Sequence, residues 1–202
     1  MEDRHLIVGL GNPGAEYAKT RHNAGFMLAD SLAKSWRADW NNEKKFHSRI
    51  AKAERNGKRL VLCEPQTFMN LSGEAVGALV KFYQLPLTRL VVAVDEADLP
   101  LGEIRLRPSG SSGGHHGLES IEKHLGSREY ARLRIGIGRK DSRREIVGHV
   151  LGKLSAAEMA LMEKVLARAA GQVECWLAHG LPKAMSQFNG VVEDSNNEGK
   201  KQ

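Results

Sequence analysis

The 202-residue chain carries 30 Lys and Arg against 24 Asp and Glu, a net charge of +6, with 41% hydrophobic residues. Such a length and balance suit one soluble globular domain, and the basic excess (sequence pI ≈ 9.4) favours an anionic partner. Two cysteines, Cys63 and Cys175, both in apolar surroundings, favour a reduced compartment over a disulfide framework, and no apolar stretch approaches the ~18 residues that span a bilayer.

The first predicted strand is the apolar run Leu6 to Leu10. Acidic Glu2 and Asp3 ahead of it and Gly9 within it argue against a signal peptide. The run breaks at Gly11-Asn12-Pro13-Gly14. A polar cluster, Thr20-Arg21-His22-Asn23, then precedes a helix over residues 24–36 with Phe26, Leu28 or Ala29, and Leu32 inward. Arg49 to Ala53 and Arg59 to Cys63 form a hairpin that turns at Asn56-Gly57 and closes at Pro65. Periodicity predicts a helix over residues 70–83 with Leu71, Ala75, Ala78, Leu79 and Phe82 on one side. Leu90 to Val94 is continuously apolar, as in a fully buried strand, and sets Asp95 at its end.

In Glu103 to Arg107, Ile104 and Leu106 alternate with Arg105 and Arg107, so the arginines share a face. After the Ser/Gly/His stretch Ser109 to His115 come a helix from Gly117 to Leu125 and a strand from Leu133 to Gly138. Ser155-x-x-Glu158 is a capping box for an amphipathic helix carrying Met162, Leu166, Ala169, Val173 and Trp176, stopped by Gly180. A short helix around 182–188 follows. Interleaved strands and helices with one hairpin imply an α/β fold: a single domain over residues 1–190, with a twisted mixed sheet and helices on both faces. Residues 191–202 are expected to form a polar tail, disordered from Glu193 onward.

Gly9-x-Gly11-x-x-Gly14 matches the dinucleotide fingerprint, but Pro13 interrupts it. The next strand-like run ends at Glu64, ~50 residues on, where that fold wants an acid about 20 on. Asp95-Glu-Ala-Asp98 spells a helicase box in a chain without a phosphate loop. Gly110-x-Ser112-x-Gly114 spells a nucleophile elbow, yet Pro108 breaks the strand that an elbow needs. His115, His116 and His124 fit no standard zinc spacing, and a flexible polar loop is the expected state of that stretch.

His22 is the first candidate for chemistry; alone, it reads equally as a helix cap or a surface histidine. Asp95 changes the balance, because a carboxylate ending a buried strand needs a hydrogen-bonding partner, and an Asp–His pair fixes the imidazole tautomer. Asn12 and Asn70 offer uncharged carboxamides for gripping a carbonyl or an oxyanion. Their plainer readings are a turn residue before Pro13 and the N-cap of the following helix. Nine basic residues, Arg105, Arg107, Arg128, Arg132, Arg134, Arg139, Lys140, Arg143 and Arg144, crowd one stretch, and few aromatics accompany them. That pattern suits the phosphates of a structured RNA better than single-strand stacking.

The chain resembles the bacterial-type peptidyl-tRNA hydrolases. The likeness rests on Gly9-Leu-Gly-Asn-Pro-Gly14 with Tyr17, Thr20-Arg-His-Asn-Ala-Gly-Phe26, Pro65-Gln-Thr-Phe-Met-Asn70 with Ser72-Gly73, and Asp95-Glu-Ala-Asp-Leu-Pro100 with Gly102. Gly113-Gly-His-His-Gly-Leu118, Arg132-Leu-Arg-Ile-Gly-Ile-Gly138 and Val147 to Gly152 complete it.

The resemblance implies hydrolysis of the ester between a peptide and the 3′ ribose of tRNA. His22 would be the general base on water and Asp95 its orienting partner, with Asn12 telling a blocked from a free aminoacyl end. Tyr17, Phe68 and Asn70 would line the peptide and 3′-end site, with Arg105, Arg107 and Arg134 clamping tRNA phosphates. No cofactor and no metal are expected, and the protein is expected to be a cytoplasmic monomer whose partner is tRNA. His116 stands where the family motif carries Asn, which implies altered activity: a slower rate or an extra acid-side inflection. The alternative is a non-catalytic RNA-binding protein on the same scaffold, as in related plant organellar splicing factors.

Overall fold

The computed structural model describes residues 3–138 and 148–192. Its strands are β1 (Arg4–Gly9), β2 (Trp40–Glu43), β3 (Ser48–Arg55), β4 (Lys58–Pro65), β5 (Leu90–Glu96), β6 (Glu103–Arg107), β7 (Ala131–Gly136) and β8 (Gly190–Val191). The helices are α1 (Ala24–Trp36), α2 (Ser72–Tyr83), α3 (His116–Leu125), α4 (Ala156–His179) and α5 (Leu181–Phe188). One eight-stranded sheet runs in the order β2-β3-β4-β1-β5-β7-β6-β8. β4, β1, β5 and β7 are parallel neighbours, flanked by antiparallel strands on both sides.

The pleat divides each central strand between two cores. Ile7, Leu62, Val91 and Ala93 face α1, α4 and α5, where they meet Leu28, Leu32, Val165 and Val173. Leu6, Val8, Val61, Val92 and Val94 face α2 and α3 and pack on Val76, Leu79, Leu118 and Ile121. A continuous apolar run in β5 is therefore required, since both of its faces are covered. Among the described residues no helix is long and apolar enough to cross a membrane.

The hairpin turn is where the residues placed it: Asn56 and Gly57 have φ of 52° and 72°, the left-handed pair that suits the twist of adjoining strands. The capping box is formed, with the Ser155 hydroxyl on Glu158 N and the Glu158 carboxylate on Ser155 N.

Some expectations need correction. β2 was not foreseen, because Trp-Asn-Asn-Glu has no apolar alternation; it holds the sheet edge by pairing with β3. α2 begins at Ser72, preceded by a 3-10 turn over Met69–Leu71, so Asn70 is not its N-cap. Leu71 and Phe82, expected on its apolar side, are 42% and 58% exposed. The helix turns Ala75, Val76 and Leu79 to the sheet, and Phe82 rests edge-on against Phe46 at its last turn. β7 begins two residues earlier than expected and ends at Gly136. Of the tail expected over residues 191–202, Val191 instead pairs with Glu103 in β8 and Val192 N bonds the Gly102 carbonyl, while residues 193–202 lie outside the described residues.

α1 crosses the sheet at Gly25, which touches β1 and β5 backbone directly. A Cβ there would sit 2.3 Å from Leu10 N and 2.4 Å from the Ala93 carbonyl oxygen. Neither neighbour is a flexible side chain that can yield. Gly25→Ala is therefore expected to destabilise the protein by about 3 kcal/mol or more, read from urea unfolding midpoints. A loss under about 1 kcal/mol would mean that α1 shifts freely off the sheet.

Candidate active site

The carboxyl ends of β1 and β5 lie side by side, and the segments leaving them carry the polar groups that the sequence pointed to. Asp95, on β5, is 4% exposed. His22 lies in a 3-10 turn, Arg21–Asn23, just before α1, and its Nδ1 is 2.9 Å from Asp95 Oδ1. A second imidazole reaches the same oxygen, with His115 Nε2 at 3.0 Å. The two rings are tilted at 46° with centroids 5.3 Å apart.

The tautomers follow from His115. Its Nδ1 accepts the backbone N–H groups of Gly117 and Leu118 as the N-cap of α3, at 3.2 and 3.4 Å. A nitrogen that accepts has no proton to give, so neutral His115 carries its proton on Nε2 and donates it to Asp95. His22 Nδ1–H donates to the same carboxylate, which leaves the His22 Nε2 lone pair without a hydrogen-bond donor among the described residues. Burial by itself pushes the Asp95 carboxyl up, but the two histidines overcome it and hold the group far below the usual carboxylate range. Burial likewise pulls His22 down; the Asp95 charge and hydrogen bond outweigh that and raise it above its ordinary value.

His22, Asp95 and His115 place a nitrogen, an oxygen and a nitrogen within 4.8 Å of one another, the size of a metal site. The donor chemistry disfavours one, because with Nδ1 of His115 occupied by the helix cap its Nε2 has no lone pair to offer. The expectation of a flexible polar loop at His115 is overturned. Sequence reasoning missed this residue because an N-cap histidine leaves no periodic mark; the adjacent helix start at Gly117 was the one signal.

Asn12 is 8% exposed and tied down on both sides. Its Oδ1 accepts Met69 N at 2.8 Å, and its backbone N and O bond the Asn23 carboxamide at 2.9 and 3.0 Å. With the acceptor end engaged, the two Nδ2 donors are what Asn12 retains for a ligand. The Met69 contact also draws the flanking Phe68 and Asn70 to this edge; Phe68 is 60% exposed and Asn70 is exposed. Tyr17 is half-buried in the loop between Asn12 and Thr20.

His116 is exposed at the first turn of α3 and pairs with Glu119 at 3.0 Å. Arg105 and Arg107 on β6 lie opposite Arg134 and Arg132 on β7, so four guanidinium groups start from one face. They differ in their surroundings. Arg134 bonds Glu96 and the Ser111 carbonyl, Arg105 pairs with Glu103 at 2.9 Å, and Arg107 is exposed. Arg132 is fully buried over the Tyr130 ring and paired to Glu122 at 3.3 Å, a structural residue. Arg139, Lys140, Arg143 and Arg144 lie outside the described residues.

The model of the family described as "Peptidyl-tRNA hydrolase" matches residues 6–198 of this chain. The chain belongs to the peptidyl-tRNA hydrolase family. It is 48% identical over 184 residues to the peptidyl-tRNA hydrolase of Synechococcus sp. (strain JA-3-3Ab), covering 91% of this chain and 82% of that protein. The Carboxydothermus hydrogenoformans peptidyl-tRNA hydrolase is 50% identical, with 91% and 97% covered.

Among solved structures, a peptidyl-tRNA hydrolase in complex with N-propanol superposes with a TM-score of 0.91 at 41% identity, over 96% of this chain and 98% of that one. The Acinetobacter baumannii peptidyl-tRNA hydrolase gives 0.89 at 41%, over 95% and 97%. Family membership makes this chain a hydrolase, and the His22–Asp95–His115 cluster lies at the β1–β5 edge.

Proposed function

We propose that this protein hydrolyses the ester joining a peptide to the 3′ ribose of tRNA, with His22 as general base. The observation that carries the reading is the Nε2 lone pair of His22, available for a proton and held in that tautomer by a buried carboxylate 2.9 Å from Nδ1. Nε2 takes a proton from water as its oxygen attacks the ester carbonyl. The resulting imidazolium is stabilised by Asp95 and returns the proton to the departing ribose oxygen. A ribose alkoxide leaves readily enough for activated water, so no covalent nucleophile is called for. The Asn12 Nδ2 donors serve the carbonyl oxygen as it gains charge, and prefer a blocked amide end to a free ammonium. His115 holds Asp95 in place from the other side.

Phe68, Asn70 and Tyr17 line the approach for the peptide and the 3′ end. Arg105, Arg107 and Arg134 take tRNA phosphates, where charge neutralisation supplies much of the affinity. The same reading puts the protein in the cytoplasm as a monomer working without cofactor or metal. Purified protein is expected to release free tRNA from an N-blocked aminoacyl-tRNA. No release by the wild type, with tRNA still bound, would leave the RNA-binding alternative.

His116 lies next to His115 and carries a charge when protonated, which Asn cannot do. His116→Asn is expected to raise the rate by about 5-fold, ~1 kcal/mol. An unchanged rate would show that His116 does not face substrate.

A further inference from the structure

Three consecutive residues carry the proposed base, and each is anchored to a different part of the fold. His22 is held by Asp95 at the end of β5, and Asn23 by the backbone of Asn12. Arg21 is held by the segment that leads into α4. Its backbone N–H donates to the Gly152 carbonyl at 3.1 Å and its Nη1 to the Lys153 carbonyl at 3.2 Å. Its Nη2 meets Glu158 Oε1 at 2.5 Å. Leu154 N bonds the Lys19 carbonyl at 3.1 Å, and Thr20 bridges Lys153, so the two segments run paired up to the residue before the base.

The guanidinium is well buried, its side chain 11% exposed. Gly152 makes room for it: a Cβ there would lie 3.1 Å from Arg21 Nη1. Glu158 serves two partners at once. One oxygen accepts Ser155 N in the capping box and the other accepts Arg21. The Ser155 N–H first, and then Arg21, hold the Glu158 carboxyl down at about 2, so the link persists across any working pH.

The turn itself is weak. Arg21–Asn23 is a single 3-10 turn with no side-chain cap, because the Thr20 hydroxyl bonds the Tyr17 carbonyl instead. Without the Arg21 side chain, only backbone bonds among the described residues tie this turn to the segment entering α4, which leaves the angle of His22 less constrained. A base displaced by about 1 Å forfeits up to ~100-fold in rate.

We infer that Arg21, braced by Glu158 on the first turn of α4, is a positioning residue that sets the angle at which His22 meets water. The inference rests on His22 being the general base. The test is steady-state hydrolysis of an N-blocked aminoacyl-tRNA by the full-length wild type and by Arg21→Met, Arg21→Lys, Glu158→Gln and the Arg21→Met/Glu158→Gln double variant, each across the pH range.

Arg21→Met is expected to lower kcat by about 10–100-fold with KM within ~3-fold. Its acid-side inflection should stay in place, because Asp95 still faces His22. Arg21→Lys should recover part of the loss, and the double variant should be no slower than Arg21→Met, since both changes break one link. Glu158→Gln keeps an amide oxygen for the Ser155 cap and carries the test should Arg21→Met not fold. A lower Tm with kcat within twofold of wild type, in Arg21→Met or in Glu158→Gln, would show a purely structural tie and overturn the inference. So would a loss seen in KM alone. A wild type without turnover removes the general-base reading along with this one; an active wild type with unaffected variants removes only the positioning role.

Discussion

His22→Ala is expected to lower kcat for peptidyl-tRNA hydrolysis by about 10²–10⁴-fold, the range that a positioned general base supplies, with KM within a few-fold of wild type. The residue meets the geometric and electrostatic requirements together: a lone pair on Nε2, and a carboxylate on Nδ1 that stabilises the imidazolium formed when water is deprotonated. Only the neutral ring acts as a base. Since Asp95 raises His22 above its ordinary value, 6.5, the wild-type rate should fall as pH drops through a point on the neutral side of 6.5. In His22→Ala that step should vanish from the residual rate. A variant that keeps more than a tenth of wild-type kcat, or keeps the acid limb, would place the base elsewhere.

Asp95→Asn should cost less than the same change in a Ser-His-Asp triad, where the amide turns the histidine to the wrong tautomer and kcat falls ≈ 10⁴-fold. Here two imidazole N–H groups converge on a single oxygen, Oδ1, and His115 cannot reverse its direction while its Nδ1 caps α3. An asparagine amide group in that place would face two donors, so the carboxamide oxygen takes it and both tautomers survive. What is lost is charge. Exchanging a charge-assisted hydrogen bond for a neutral one removes about 1–1.5 kcal/mol, or roughly 5–10-fold in kcat. The acid limb should move below 6.5, because burial then dominates His22. Combining Asp95→Asn with His115→Ala frees the amide to flip and should deepen the loss toward the triad value. A single-variant loss near 10⁴-fold with an unmoved acid limb would contradict the shared-oxygen account.

The architecture was largely legible because its signals are local. β5 announces itself as Leu-Val-Val-Ala-Val, an apolar run that only a strand covered on both faces needs. The α4 start is written in Ser155 and Glu158, and the hairpin in Asn56-Gly57, since each is satisfied by bonds within a few residues. β2 carried no such signal: its place depends on an edge that β3 offers, and its own residues are polar. Leu71 and Phe82 were assigned inward by periodicity, which cannot register that the helix starts late and that its last turn overhangs the core.

At the site, Asp95 at the end of a buried strand and His22 after a glycine-rich turn mark themselves by residue type and location. Chain order alone bears on this much, because a strand's end and a turn's contents are properties of consecutive residues. That His115 shares Asp95, that Asn12 is oriented by Met69, and that Arg21 leans on Glu158 arise from contacts spanning 20, 57 and 137 positions. Those pairings exist only once β1, β5 and the start of α4 have packed, and a hydrogen bond's direction is set by angles no linear pattern records. The residue types that make hydrolysis feasible are thus present in the chain as written. Their protonation, tautomer and aim come from folding, because burial and convergence on one oxygen are properties of the assembled sheet edge.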